Sequence, residues 1–114
     1  MNIIGSYHFG QVVINGKKYS SDVIVFPDRV RDNWERKIGH QLCLEDIAEV
    51  IAKNPEVLIV GTGEFGLVEV LPEVQQAAQA QGIKLIAETT DKACHTYNQL
   101  CHCQRVVAAL HITC

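Results

Sequence analysis

The apolar run Val57-Leu58-Ile59-Val60 leads directly into Gly61-Thr62-Gly63, and this junction constrains the fold more than any other feature of the chain. An unbroken run of branched aliphatic residues suits a strand buried on both faces, as in a parallel sheet. The loop that follows, Gly61 to Gly66, has the G-x-G-x-x-G spacing of a dinucleotide-binding turn. That chemistry needs a helix to open within the glycines, so that its N-terminus can hold a pyrophosphate. Here the next helix signal is Pro72, a residue suited to the first helical position, and Leu67 to Leu71 intervenes. Glu88 stands near the spacing of a ribose-binding acid, but without the helix it is a weak pointer. No nicotinamide, flavin or other cofactor is expected.

The same junction organises the rest of the chain. Pro72 to Gln81 reads as a helix with Gly82 just past its end, and Ile83 to Ala87 as the next strand. Strand, helix and strand at this spacing make a right-handed βαβ unit with parallel strands. Val23 to Phe26, stopped by Pro27, and Val106 to Ile112 add two further apolar strands. Leu44 to Lys53 has helical periodicity, with Glu45 and Asp46 in its first turn and Asn54-Pro55 as its stop. Thr89-Thr90-Asp91 supplies a cap for a third helix, roughly 91–103. Near the N-terminus, Asn15-Gly16 between Val12-Val13-Ile14 and Lys17-Lys18-Tyr19 predicts a β-hairpin with a type I′ turn. Asp28 to His40 is polar apart from its tryptophan and reads as a long, partly ordered connection. The expected fold is α/β: a compact layered single domain over 1–114, with a mixed β-sheet, one βαβ unit, an N-terminal β-hairpin and three helices.

Composition removes several classes of function. A chain of 114 residues holds one core, and 47% hydrophobic content is too high for disorder. The net charge of -3 argues against nucleic-acid binding. No apolar run approaches the ~20 residues of a membrane span, so no membrane insertion is expected. The N-terminus has neither the basic and apolar regions of a signal peptide nor an Arg-rich import segment, which makes a cytoplasmic protein the expectation. The five cysteines are then expected to be reduced.

The order of several short motifs is informative. They include Tyr7-His8-Phe9-Gly10, Ile14-Asn15-Gly16-Lys17, Tyr19-Ser20-Ser21-Asp22-Val23-Ile24, Trp34 and Gly39-His40. Further on come Ile59-Val60-Gly61-Thr62-Gly63, Tyr97-Asn98-Gln99-Leu100 and Arg105-Val106-Val107-Ala108-Ala109-Leu110-His111. In this order the chain resembles the Mth-nine-three-eight-like domain family, along almost its whole length. Members include an adipogenesis-associated protein and a mitochondrial complex I assembly factor. The resemblance implies a layered α/β fold with a mixed sheet. It implies little chemistry, and an assembly role only by analogy of fold. Two departures from the family stand out: no import presequence is expected from this N-terminus, and Cys101-His102-Cys103 stands where relatives tend to have a polar or acidic segment.

The candidate sites follow from topology. In a parallel α/β sheet, ligands bind at the carboxyl ends of the strands. Three loops should gather there, from Pro27 to Arg29, Gly61 to Gly63 and Glu88 to Thr90. This nominates Arg29, Thr62, Gly63, Thr90 and Asp91 as a crevice for a small anion or metabolite, with glycine amides as donors. The competing reading is a tight turn that needs positive φ. Trp34 is nominated as a partner-facing residue or lid, against the equal alternative that it folds back over a sheet face. Cys94 and Cys101 lie two helical turns apart, too far for a disulfide, and are read as core. Cys94-His95 and Cys101-His102-Cys103 point in divergent directions on a helix, so no bound metal is expected in the protein. His8, His40 and His111 are scattered in the sequence. Cys43 or Cys114 could meet one in space, but no local pattern marks a nucleophile and base, so no catalytic residue is assigned. An interaction or assembly module with a protein partner is the leading expectation, and an anion or metabolite binder the alternative.

Overall fold

The computed structural model describes residues 2–114. The first strands are β1 (Ile4–His8), β2 (Gln11–Ile14), β3 (Lys17–Tyr19), β4 (Val23–Val25), β5 (Val30–Arg31) and β6 (Gln41–Leu42). A 3-10 turn at Leu44–Ile47 then leads into α1 (Ala48–Lys53). The second half runs β7 (Val57–Thr62), β8 (Glu69–Val70), α2 (Pro72–Ala80), β9 (Lys84–Glu88), α3 (Thr90–Leu100) and β10 (Val106–His111). The central sheet has five strands in the order β5-β4-β10-β7-β9. β10 pairs in parallel with β7 from Val106↔Val57 to His111↔Thr62, and β7 pairs in parallel with β9. β4 lies antiparallel to β10, with Val23 opposite Leu110. The sheet is mixed, and β7-α2-β9 is the expected βαβ unit.

Both faces of this sheet are covered, which is why its strands read as continuous apolar runs. Val57 and Ile59 face a core built with Ala93, Cys94 and Tyr97 of α3 and with Ile4, Val12 and Ile14 of the β1-β2-β3 sheet. Leu58 and Val60 face the second core, with Val50 of α1, Val74 and Ala78 of α2, and Trp34.

The differences from the sequence reading have local causes. The helix expected over 44–53 is divided, because the Asp46 carboxylate accepts the Cys43 N–H at 3.0 Å and the Lys37 N–H at 3.0 Å. Those bonds tie the first turn to the preceding loop and tighten it into 3-10 geometry. The third helix stops at Leu100, so Cys101-His102-Cys103 forms a turn. β1 was not expected, since Gly5 and Ser6 interrupt its apolar pattern. It is held by Asn98 of α3, which accepts the Ile4 N–H at 3.0 Å and donates to the Ile4 carbonyl at 2.7 Å. The connections also carry structure: β5 lies within the Asp28–His40 stretch, and β6 pairs in parallel with β8.

Candidate functional site

The three parallel strands end at Thr62, Glu88 and His111, along one edge of the sheet. Thr62, Gly63 and Thr90 meet there as expected. Arg29 does not. Because β4 is antiparallel, its start at Asp22 and Val23 reaches this edge, while its end carries Phe26 to Arg29 to the opposite one. There the Arg29 guanidinium pairs with Glu49 and lies 4.2 Å from the centre of the Phe26 ring.

The glycine loop at this edge is closed. The Gly63 N–H donates to the Thr90 hydroxyl at 2.9 Å, and that hydroxyl donates to the His111 carbonyl. The Thr90 N–H returns to the Gly63 carbonyl at 3.1 Å, and the Glu64 N–H donates to the Thr113 carbonyl at 2.7 Å. The Thr62 hydroxyl donates to the Glu88 carbonyl at 2.9 Å. Thr90 is fully buried. The Gly63, Glu64 and Thr90 amides are therefore taken by the protein itself, which gives the anion-crevice reading no support. Asp91 is exposed beside His95, at 4.0 Å. Gly63 has φ of +102°, and a Cβ there would fall 2.6 Å from the Cys114 carbonyl oxygen and 2.9 Å from His111 Cδ2. The glycine thus serves close packing of the C-terminal segment against β7.

A polar cluster that the sequence reading did not assemble occupies the same edge. The Asp22 carboxylate accepts the Ile112 N–H at 2.9 Å and lies 2.8 Å from both Arg36 Nη1 and His111 Nδ1. Arg36 Nε donates to the Gly39 carbonyl at 2.9 Å. Burial pushes the Asp22 carboxyl up, but His111, the Ile112 amide and Arg36 together outweigh it and hold it below its ordinary value. The Arg36 Nη2 also lies 2.9 Å from His111 Nδ1, so Asp22 and Arg36 meet at that ring nitrogen and Nε2 stays outside their contact. The ring nitrogen of His40 lies 3.8 Å from Cys114 Sγ. His40 and His111 approach edge to face, with centroids 6.1 Å apart. One signal in the sequence pointed here: His111 is a polar side chain inside the otherwise apolar run of β10.

Trp34 takes the second of its two readings. It is only 3% exposed, packs in the core shared with α1 and α2, and donates its indole N–H to the Asp46 carbonyl at 3.0 Å. Its ring is unavailable to a partner, because the polar residues around it turn outward while it covers the sheet. Other apolar side chains are available. Phe9 is 58% exposed, Ile38 60%, Phe65 69% and Leu67 51%. All four sit on loops fastened to the strand-end edge. The Phe9 loop is joined through Gly10 N–H to the Ile112 carbonyl at 2.7 Å. The Phe65 and Leu67 loop is joined through Glu64 N–H, and through Val68 N–H to the Thr62 carbonyl at 3.1 Å. Ile38 lies between Arg36 and His40 of the polar cluster.

These features place the chain in a known group of α/β domains. A family model described as protein of unknown function, DUF498/DUF598, matches residues 4–111, and the chain belongs to that family. A conserved hypothetical protein from Pyrococcus horikoshii has the same fold, with a TM-score of 0.87 at 27% identity, over 97% of this chain and 98% of that one. A Bordetella pertussis protein described as a Mth938-like domain superposes with a TM-score of 0.73 at 22% identity, over 97% of this chain and 85% of that one, which bears out the family resemblance at the level of fold. Human NADH dehydrogenase [ubiquinone] 1 alpha subcomplex assembly factor 3 is 32% identical over 110 residues, 93% of this chain. The chain spans 58% of that assembly factor's length. No helix among the described residues is long and apolar enough to cross a membrane.

Proposed function

We propose that this chain is a non-enzymatic interaction or assembly module that presents its strand-end edge to a protein partner. The observation that carries the reading is the placement of Phe9, Ile38, Phe65 and Leu67. Each is more than half exposed, and each lies on a loop anchored to that one edge. Single exposed apolar residues are ordinary, but several large ones gathered on one face mark an interaction surface. The similarity to a protein named as a complex I assembly factor supports the same class of role. So does the closure of the glycine loop, which leaves the edge shaped for contact rather than for enclosing a small molecule.

The test is photo-crosslinking in cells, with a photoreactive residue placed at Phe65, at Phe9, or at Gln79 on α2 as a control. A discrete higher-mass adduct from the first two positions and not from Gln79 is the expected result. Absence of adducts at Phe65 and Phe9, or equal labelling from all three, would sink the reading.

A further inference from the structure

We propose that His40, His111 and Cys114 form a binding site for a divalent transition metal, with zinc the best fit. One donor atom from each residue lies within 4.8 Å of the other two. Two imidazoles and a thiol are the donor set that a borderline-soft ion selects over magnesium or calcium. A tetrahedral zinc with bonds of about 2.0–2.3 Å holds its donors roughly 3.3–3.6 Å apart. His40 Nε2 and Cys114 Sγ, at 3.8 Å, are already close to that spacing. His40 is exposed and Cys114 only partly buried, so both side chains can close the remaining distance by rotation.

The second observation is the orientation of His111. Its Nδ1 is taken by Asp22 at 2.8 Å and by Arg36 Nη2 at 2.9 Å, which leaves Nε2 as the ring nitrogen available to the cluster. A carboxylate behind a ligating imidazole fixes tautomer and ring orientation and raises the basicity of the ligand. Among the described residues Nε2 meets the Thr113 hydroxyl at 3.3 Å, a long contact that a metal displaces. The Arg36 guanidinium touches His111 through Nδ1 and not through Nε2, and its charge is matched by Asp22 at 2.8 Å. A thiolate from Cys114 would offset part of the metal charge, its proton passing to solvent on binding. Gly63 completes the site by letting Cys114 and His111 approach β7, where any Cβ would collide with both. Three protein donors leave a coordination position open to water.

These residues are independent of the Cys94–Cys103 segment, whose helical spacing led to the expectation of no metal. The inference goes beyond the partner reading and does not depend on it.

The test is titration of the purified chain with cobalt(II), followed by competition with zinc(II). Cobalt bound here gives tetrahedral visible bands and a thiolate-to-metal charge-transfer band in the near ultraviolet, at one ion per chain, and zinc bleaches both. Cys114→Ser removes the charge-transfer band. His40→Gln weakens zinc binding by more than about tenfold, and Asp22→Asn by roughly 10–100-fold, the range for loss of an outer-shell partner. Cys103→Ser leaves the spectrum unchanged. Circular dichroism confirms the fold of each variant, and His40 is exposed enough that its substitution leaves the core intact. Absence of the bands in the parent chain overturns the proposal. So does a band that survives Cys114→Ser, or one that disappears in Cys103→Ser instead.

Discussion

At the scale of single residues, Gly63 is the most constrained position of the strand-end edge. Its φ of +102° strains any L side chain, and the space a methyl group would need is filled by the Cys114 carbonyl and the His111 ring. Gly63→Ala should therefore lower stability by about 2–5 kcal/mol, adding backbone strain to overpacking. Urea unfolding measures this, and a loss under about 0.5 kcal/mol, the range of a neutral surface change, would show that the loop gives way freely. Asp22 is the second such residue, and its effect depends on pH. Its carboxyl is held below its ordinary value in the folded chain, despite burial, by His111, the Ile112 amide and Arg36. The stability it adds is complete above the unfolded value, about 3.9, and is lost as the pH falls through the lower folded value. Unfolding measured from pH 6 to pH 2 should thus fall more steeply for the parent chain than for Asp22→Asn. Parallel curves would mean that Asp22 does not carry that acid sensitivity.

At the scale of elements, the parts differ in how they were legible. The apolar runs at β4, β7, β9 and β10 identified themselves, because a strand buried on both faces has no polar alternation to obscure it. α2 was equally plain, bracketed by Pro72 and Gly82. β1 was hidden, since its order comes from long-range bonds to Asn98, and the pairing direction of β4 was hidden for the same reason. That direction decides which end of the sheet receives Arg29 and which receives Asp22 and Arg36. The candidate site was therefore legible only in its local half, Thr62, Gly63 and Thr90. The closure of that half was not legible, because a glycine loop open to a ligand and one bonded to a distant hydroxyl have the same sequence. Asn98 allows a direct test of the long-range half. Its amide makes both bonds to Ile4, and the neighbouring Tyr97 hydroxyl donates to the Asn2 carbonyl at 3.1 Å. Asn98→Ala removes two partly buried bonds between α3 and β1, at a cost of about 1–3 kcal/mol. Hydrogen exchange should accelerate at Ile4 and along the β1-β2 pairing and stay slow in β7 and β10. Uniform acceleration across the central sheet would show that the small sheet unfolds only with the whole molecule.

At the scale of the whole molecule, the two ends of the sheet are unlike. One end carries Arg29 and Arg31, paired with Glu49. The other gathers the polar cluster and, around it, four exposed apolar side chains. Nothing in the packing of the domain calls for those four to be apolar, since they contribute to neither buried core. Converting two of them to carboxylates should accordingly leave folding intact while spoiling contact. Phe65→Asp combined with Leu67→Asp is predicted to shift stability by no more than about 0.5 kcal/mol, as is usual for exposed positions away from special geometry. Binding suffers far more, because each new charge must be desolvated at an apolar contact without a partner. Competition in cells separates the two effects. Excess unlabelled parent chain should suppress the adduct formed from the Phe9 position, and so should Gln79→Asp, whose change lies on α2 at the end of the sheet remote from this edge. The double variant should not suppress it. If the double variant competes as well as the parent chain while folding normally, the apolar rim is not what a partner reads, and the interaction surface must lie elsewhere on the domain.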